Sequence, residues 1–536
     1  MSKLARLKEK LLSPLSAVLA IISAVLLILA FPDFDFWFLA WVALVPLFFA
    51  LEREKDSALK SFLTGWTFGV TFFFGTCWWL TFAPINYAGL PALLVYFFMF
   101  CAAAIVGIFP GVFGALFSIV AKRFGSSAIL SAPVLWTFTE FLRMALTGNN
   151  WNAIGYSQAF RAEIIQPASI GGVYLISFLI VLLNAFLAFK LYKIILSEHE
   201  DEAKMKRRDW IVLASVLFLV VLIFSMSKLS LPAKRDLSLV VAVQPNVPMS
   251  GITLEKYEQL LTRHIQLAEA AIKEADELRT DPKWTDGGKY NIPVTVIFPE
   301  SPMIFQYGRD EQLQQFLRDF AVRNNVSVLF NSAEANGNKR ILNSAVMINE
   351  RGEKTAQYDK IYLVPFGEYI PFPEPFASQM PAFVGNFEFG SEYDLLPFGE
   401  AKGGVMICFE SHFGTLSREY ARRGADVLIE MTNDGYLGNT PILRQHLANS
   451  VFRAVETNRP LVRVTNVGIT AYINERGKVL EAADVYAEAT RVWTISKSDG
   501  AETIYVKFGD WFAWACSLTS FALLIYAFAT RKKISE

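Results

Sequence analysis

Apolar positions along this chain follow two regimes. Up to about residue 230, and again near the end, they fuse into long blocks without charge; between these regions, charged residues alternate with short apolar runs. Residues 61–121 carry no charged side chain, and further uncharged runs lie at 11–31, 36–51, 124–139, 164–189, 211–227 and 511–530. A spanning helix needs roughly 20 apolar residues to cross about 30 Å of hydrocarbon. The pattern therefore predicts eight spanning helices, near 12–31, 35–51, 61–82, 91–121, 126–143, 167–190, 210–228 and 510–529, with Pro84, Asn86 and Gly89 turning the chain between the third and fourth. The first run could be read as a cleaved export signal. Because Phe31-Pro32-Asp33-Phe34 leads straight into the next apolar run, it is expected to stay as a helix.

Basic residues set the orientation. They cluster at Lys3, Arg6, Lys8 and Lys10, at Arg53, Lys55 and Lys60, at Lys122 and Arg123, from Lys190 to Arg208, and at Arg531, Lys532 and Lys533. Every second loop is thus basic. Both termini are expected in the cytoplasm, and the long segment before the last helix outside.

That segment, 231–507, has the periodicities of a water-facing domain. Leu237–Val243, Val294–Phe298, Val326–Asn331, Ala345–Asn349, Val405–Ile407, Val427–Met431 and Leu461–Thr465 read as strands. Residues 254–279 place Leu254, Tyr257, Leu261, Ile265, Ala268 and Ile272 on one helical face, and 310–324 form a second helix. Asn349-Glu350-Arg351-Gly352 and Asn474-Glu475-Arg476-Gly477 read as hairpin turns. The alternation predicts an α/β or αββα layered domain.

Composition sharpens this picture. Of 536 residues, 53% are hydrophobic and 19% charged, with 46 Phe and 12 Trp. Soluble chains carry about 25% charged residues, and the mean hydropathy here is +0.34. Fifty basic residues balance fifty acidic ones, so no net field recruits nucleic acid. A disordered chain and a disulfide-stapled secreted domain are excluded as well.

The chemistry sits at strand ends. Glu300 follows Val-Thr-Val-Ile-Phe-Pro, Lys360 follows a hairpin, and Cys408 follows Gly-Gly-Val-Met-Ile. Of four cysteines, only Cys408 lies in the outer segment, so it has no disulfide partner there. A free thiol is more often a small buried apolar residue than a nucleophile; the company of Glu300 and Lys360 turns the reading to catalysis. A carboxylate can take the thiol proton, and an ammonium with the backbone N–H of Phe409 can hold a tetrahedral oxyanion. Such acyl transfer needs neither metal nor cofactor. A Cys–His dyad with His412 is conceivable but ranks below the Glu300 pairing, and His446 reads as structural. No zinc-protease motif, phosphate-binding loop or Cys-x-x-Cys is present.

At these residues the chain resembles a known family. Val-Ile-Phe-Pro-Glu300-Ser, Tyr-Asp-Lys360-x-x-Leu-Val-Pro-Phe-Gly-Glu368-Tyr-Ile-Pro and Ile-Cys408-Phe-Glu410-Ser resemble the nitrilase superfamily. Joined to eight apolar helices, they look like the membrane-embedded apolipoprotein N-acyltransferases. Gln244-Pro245-Asn246-Val247-Pro248, Thr432-Asn433-Asp434, His446-Leu447, Arg459–Gly468, Glu140-Phe-Leu-Arg143 and Gly155-Tyr156-Ser157-Gln158 are similar to the family too. Three positions depart from it: Phe409 stands where Tyr is common, and Trp is missing near Ile252-Thr253 and within Gly435-Tyr436-Leu437-Gly438.

The resemblance implies a fold and a reaction. The fold is an eight-helix transmembrane bundle carrying an extracytoplasmic nitrilase-like αββα sandwich between helices seven and eight, divided as 1–230, 231–507 and 508–536. The reaction moves a fatty acyl chain from a membrane phospholipid, through a thioester on Cys408, to the α-amino group of a diacylglyceryl apolipoprotein. Glu300 would be the base, Lys360 the oxyanion stabiliser and Cys408 the nucleophile. Glu368 would orient Lys360 or shuttle protons, and Glu410 would shape the pocket. The expected setting is a bacterial inner membrane with the catalytic domain on the periplasmic side, as a monomer. A membrane-tethered amidase that releases the thioester to water is the alternative, and a lipid-binding scaffold with a dead catalytic domain is a second rival. Phe372, Phe376, Met380, Phe383, Phe387, Phe389 and Leu396 read equally as a loop covering the domain's own core and as a membrane-dipping lid. Glu140 and Arg143, three apart on one helix, read as a structural pair or as contacts to a lipid headgroup.

Overall fold

The computed structural model describes residues 12–196, 235–280, 292–335, 340–371 and 385–529. The expected helix at 210–228 and the basic clusters at both termini lie outside these residues. Two compact units divide the chain, one drawn from Met1–Leu229, Thr440–Gln445 and Phe508–Glu536, the other from Ser230–Asn439 and His446–Lys507.

The first unit is helical. Its elements are α1 (Pro14–Ala30), α2 (Val45–Glu54), α3 (Ala58–Cys77), α4 (Ala92–Val106), α5 (Ile108–Phe124), α6 (Ala132–Thr147) and α7 (Ala168–Leu196), closed by a helix over Trp511–Ala529. Among the described residues four stretches are long and apolar enough to cross a membrane: Ala58–Asn86, Ala92–Thr147, Ala168–Ile194 and Trp511–Ala529. Leu93 is 86% exposed and Leu518 69%, apolar surface that suits lipid and not water.

The expected helix over 35–51 is broken. A 3₁₀ turn at Trp37–Trp41 is followed by α2, whose first turn carries Pro46. The physical reason is on a neighbouring helix. Asn184 accepts a hydrogen bond from Leu44 N–H at 2.8 Å and donates to Ala40 C=O at 2.9 Å, pairing the backbone groups that the break leaves open. The expected helix over 91–121 is likewise two helices joined at Gly107, with Pro110 in the first turn of α5.

Small residues let α3 and α5 approach closely. A Cβ on Gly65 would lie 2.0 Å from Pro110 O, and one on Gly114 would lie 2.1 Å from Ser61 O. Glu140 and Arg143 are buried and committed to the unit's own chain. Glu140 accepts from Ile154 N–H at 3.0 Å; Arg143 donates to Trp151 O at 2.9 Å and Asn150 Oδ1 at 3.1 Å. They fasten the loop after α6.

Thr440–Gln445, which the sequence places in the outer segment, groups with this first unit. Gln445 explains why. Its amide donates to Pro32 O and Thr76 O, and accepts from the indoles of Trp79 and Trp151.

The second unit holds two sheets. Its strands are β1 (Asp236–Gln244), β2 (Val294–Ile297), β3 (Ser327–Ala335), β4 (Ile341–Ile348), β5 (Lys354–Asp359), β6 (Phe387–Glu388), β7 (Leu395–Phe398), β8 (Ala401–Ile407), β9 (Val427–Thr432), β10 (Leu461–Thr465), β11 (Ala471–Ile473), β12 (Val479–Leu480) and β13 (Ala489–Ser496). The first sheet is ordered β13-β1-β2-β3-β4-β5, with β6 beside β4; the second is ordered β12-β11-β10-β9-β8-β7. Strands β1, β2 and β3 run parallel, as do β8, β9 and β10. Helices α8 (Leu254–Thr280) and α9 (Glu311–Asn324) bury Ile265, Ile272, Leu313, Leu317 and Phe320 against Leu239, Val241, Val243 and Val296 of the first sheet. Alternate residues Val240 and Ala242 are also fully buried. With both faces covered, β1 reads as the continuous apolar run seen in the sequence. The sheets meet where Thr465 of β10 donates to Gln244 of β1 at 3.1 Å. Helix α10 (Gly414–Arg422) packs on β8. Helix α11 (Ile442–Thr457) reaches β9 through Ser450 and Glu430. The layers are thus helix, sheet, sheet, helix. The two expected hairpin turns are present, with Gly352 at φ 72° and Gly477 at φ 79°.

Because a side chain at position 65 has no room, Gly65→Ala should cost about 1–3 kcal/mol by overpacking. Heating the detergent-solubilised protein with a maleimide dye that reports buried cysteines checks this. A midpoint equal to the parent's would show that α3 and α5 can part without cost.

Candidate active site

Three chain reversals bring the chemistry together within the second unit. Glu300 lies three residues beyond β2, Lys360 directly follows β5, and Cys408 directly follows β8. Cys408 has φ 54°, the left-handed region that L-residues enter at a cost. The chain then winds through a 3₁₀ turn, Cys408–His412, into α10. A side chain on so sharp a strand–turn–helix projects from the backbone instead of lying along it.

Lys360 is 1% exposed. Its ammonium donates to Glu368 Oε1 at 2.9 Å and sits 3.8 Å from Glu300 Oε1. Asn343 of β4 bridges the two carboxylates, donating to Glu300 Oε1 at 3.1 Å and to Glu368 Oε1 at 2.7 Å. The other Glu368 oxygen accepts from Val364 N–H at 2.8 Å. Glu368 is thereby fixed on both oxygens. Glu300, Lys360 and Thr432 lie close enough to Cys408 to act on its ionisation.

Glu410 is fully buried and acts as a clasp. Its Oε1 accepts from Tyr358 O–H at 2.7 Å, Ile361 N–H at 2.7 Å and Tyr362 N–H at 3.0 Å; its Oε2 accepts from Ile407 N–H at 2.8 Å. One carboxylate thus ties the end of β8 to the loop that carries Lys360. Phe409 packs among aromatic rings, stacked on His412 and edge-on to Phe413.

Burial and charge set the proton positions. Burial pushes the Cys408 thiol well up, Glu300 adds to that, and Lys360 only partly offsets it. Burial also raises Glu300, against the pull of Lys360. Burial works against the Lys360 charge, but Glu368 and Glu300 outweigh it and hold the ammonium protonated far into the alkaline range. Glu410 is pushed up to about 7 by burial, with Lys360 and its hydrogen bonds pulling the other way. Cys408 thus sits beside an acid that holds its proton more tightly than usual and a cation that stays charged.

The residues expected from sequence, Glu300, Lys360, Glu368, Cys408, Phe409 and Glu410, therefore occupy one neighbourhood. Of the apolar lid segment, Phe372, Phe376, Met380 and Phe383 lie outside the described residues; Leu396 is fully buried and Phe389 is 54% exposed. Asn343 joins the site without a local signal, since it looks like any polar residue on a strand. Glu430 is a further unexpected member, pairing with Arg463 in a buried group where His446 and Asp434 lie 2.6 Å apart. A Glu inside Val427-Leu-Ile-Glu430-Met-Thr was the available signal, since an apolar strand rarely buries a carboxylate without a partner.

Known proteins resemble the chain at both levels. The family described as the apolipoprotein N-acyltransferase N-terminal domain matches residues 23–186, and the carbon-nitrogen hydrolase family matches 240–505. An apolipoprotein N-acyltransferase of Geobacter metallireducens is 32% identical over 522 residues, covering 96% of this chain and 95% of that one. Another, of Pasteurella multocida, is 28% identical, covering 93% of each. Among solved structures, an amidase from Nesterenkonia sp. aligns with a TM-score of 0.37 at 16% identity, covering 53% of this chain and 98% of that one.

The raised thiol gives a direct expectation. An acid whose folded pKa is raised stays protonated until the pH climbs past that higher value. In a chain carrying Cys77→Ala, Cys101→Ala and Cys516→Ala, alkylation of Cys408 by iodoacetamide should keep accelerating beyond pH 9. A plateau below pH 8 would contradict a raised thiol.

Proposed function

The chain belongs to the apolipoprotein N-acyltransferase family, and from that premise we propose that Cys408 carries the acyl group between a membrane phospholipid and the α-amino group of a diacylglyceryl apolipoprotein. The observation that carries the proposal is that Glu300 and Cys408 both face the buried Lys360 ammonium, in a chain that also holds membrane-length apolar helices.

In the first half-reaction Glu300 takes the thiol proton as sulfur adds to the ester carbonyl. The oxyanion that forms is held by the Lys360 ammonium and the backbone N–H of Phe409. Collapse breaks the ester C–O bond, Glu300 returns the proton to the departing glyceryl oxygen, and a lysophospholipid leaves. In the second half the lipoprotein amine adds to the thioester, Glu300 accepts the amine proton, and the amide forms as the thiolate departs and is reprotonated. Atoms and charge balance without any further reactant. Glu368 keeps Lys360 aimed, and Glu410 keeps the nucleophile turn and the Lys360 loop in register.

Both substrates are anchored by acyl chains, so the reaction belongs at the bilayer surface. The alternation of basic loops supports a bacterial inner-membrane setting with eight spanning helices, both termini cytoplasmic and residues 231–507 periplasmic. A single chain supplies every proposed catalytic group, which supports a monomer. An amidase would instead release the thioester to water; the family of the chain and its apolar helices favour the lipid-to-protein transfer.

Two outcomes test the assignment. Mass spectrometry of protein mixed with a dipalmitoyl phospholipid should show a palmitoyl adduct on Cys408 that disappears on adding a diacylated lipopeptide, while Cys408→Ala stays folded and forms none; normal turnover in that variant would overturn the nucleophile. Glu300 must be ionised to accept a proton, and burial raises its pKa. Activity should therefore fall as the pH drops through a value above the usual carboxylate range of about 4.3. An acidic limb in kcat/KM at or below that value would point to another base.

A further inference from the structure

Behind the nucleophile lies a second set of charges that the mechanism above does not use. His446, the fifth residue of α11, is 3% exposed. Its Nδ1 is 2.6 Å from Asp434 Oδ1. Its Nε2 is 3.0 Å from the carbonyl oxygen of Cys408 and 3.1 Å from Glu430 Oε1. A carbonyl and two carboxylates are acceptors, so each ring nitrogen faces a group that can only receive a proton. Arg463 of β10 closes the set, donating to Asp434 Oδ2 at 2.7 Å and pairing with Glu430. Ser450 donates to the remaining Glu430 oxygen.

Charge counting gives the ring's state. Glu430 and Asp434 are two buried negatives, and Arg463 is one buried positive. The group is neutral only if His446 carries the second positive charge, and an unbalanced charge at this depth costs several kcal/mol. Burial opposes charging His446, yet Asp434 and Glu430 outweigh burial and the repulsion of Arg463, raising it to about 9. Burial likewise opposes ionising Glu430, but Arg463 and His446 hold it down at about 2.

The hydrogen bond to the Cys408 carbonyl has a geometric consequence. A peptide unit is planar, with its C=O and N–H pointing in opposite directions. Holding the Cys408 oxygen fixes the 408–409 plane and so fixes the direction of the Phe409 N–H. Because φ 54° at Cys408 is disfavoured, this plane would relax if it were not held.

We propose that His446 is a positioning residue: its imidazolium, held between Asp434, Glu430 and the Cys408 carbonyl, locks the 408–409 peptide and aims the Phe409 N–H at the oxyanion. This role rests on the acyl-enzyme reading above, in which that N–H is an oxyanion donor. It does not touch substrate, so it should act on the rate of acylation and not on lipid binding.

The test is single-turnover acylation of Cys408 by a dipalmitoyl phospholipid in detergent micelles, read by mass. His446→Leu should slow it by about 10–100-fold, the range expected when an oxyanion donor is misaimed, with the half-saturating lipid concentration changed less than about twofold. His446→Gln, whose amide can donate to the same carbonyl, should recover about tenfold of that loss. In the parent, acylation should decline reversibly above about pH 9 as the ring keeps a single proton, held on Nδ1 by the shorter bond to Asp434, and Nε2 stops donating to the carbonyl, while iodoacetamide alkylation of the same sulfur, which forms no oxyanion, keeps rising. The pH comparison needs no variant and decides the matter even if His446→Leu fails to fold. Acylation and alkylation rising together through pH 10 would overturn the proposal, as would His446→Leu acylating at the parental rate while Cys408→Ala forms no adduct. Turnover retained in Cys408→Ala would instead overturn the acyl-enzyme reading itself.

Discussion

A buried ammonium is the constraint around which the second unit is organised. Lys360 keeps its charge at 1% exposure only because two carboxylates face it. One of them, Glu368, is pinned on both oxygens by Lys360, Asn343 and Val364; the other, Glu300, is bonded to Asn343 and lies near enough to the sulfur to act on its ionisation. With both acids ionised the cluster carries one surplus negative charge. The proton transfer proposed above, from the thiol to Glu300, would move that charge to sulfur without changing the total. A low-dielectric site can tolerate such an exchange, whereas separating new charge there would be costly.

Holding this cluster takes more residues than performing the reaction. Lys360 and Cys408 follow different strands of different sheets, so their spacing depends on loops. Glu410 answers this by accepting from the end of the nucleophile strand and from three groups around the Lys360 loop. Removing it would strand four donors at once. The groups that move protons are few; those that hold the chain so that protons move the right way are the majority.

Much of this was legible in the sequence, and what was not has physical causes. Strand β1 is apolar on both faces because sheet and helix cover it, so Leu237–Val243 announced itself. Gly352 and Gly477 mark turns because their backbone enters positive φ. Glu300, Lys360 and Cys408 stand beside strand ends, where unusual residue types are visible. Asn343 sits inside a strand where polar residues are commonplace, and its link to two distant carboxylates exists only after folding. The break within 35–51 could not be read locally, since the amide that satisfies it belongs to Asn184, far along the chain. Apolar content told how much of the chain avoids water; it did not tell where a helix ends.

The six residues Thr440–Gln445 carry a lesson about modularity. They belong to the helical unit, although the chain before and after them belongs to the sandwich. The carboxamide of Gln445 is spoken for by Pro32, Thr76, Trp79 and Trp151. A gene fragment encoding the sandwich by itself would carry this stretch with its partners left behind. Order along the chain and grouping in space therefore differ here: a stretch flanked on both sides by sandwich sequence is anchored within the helices.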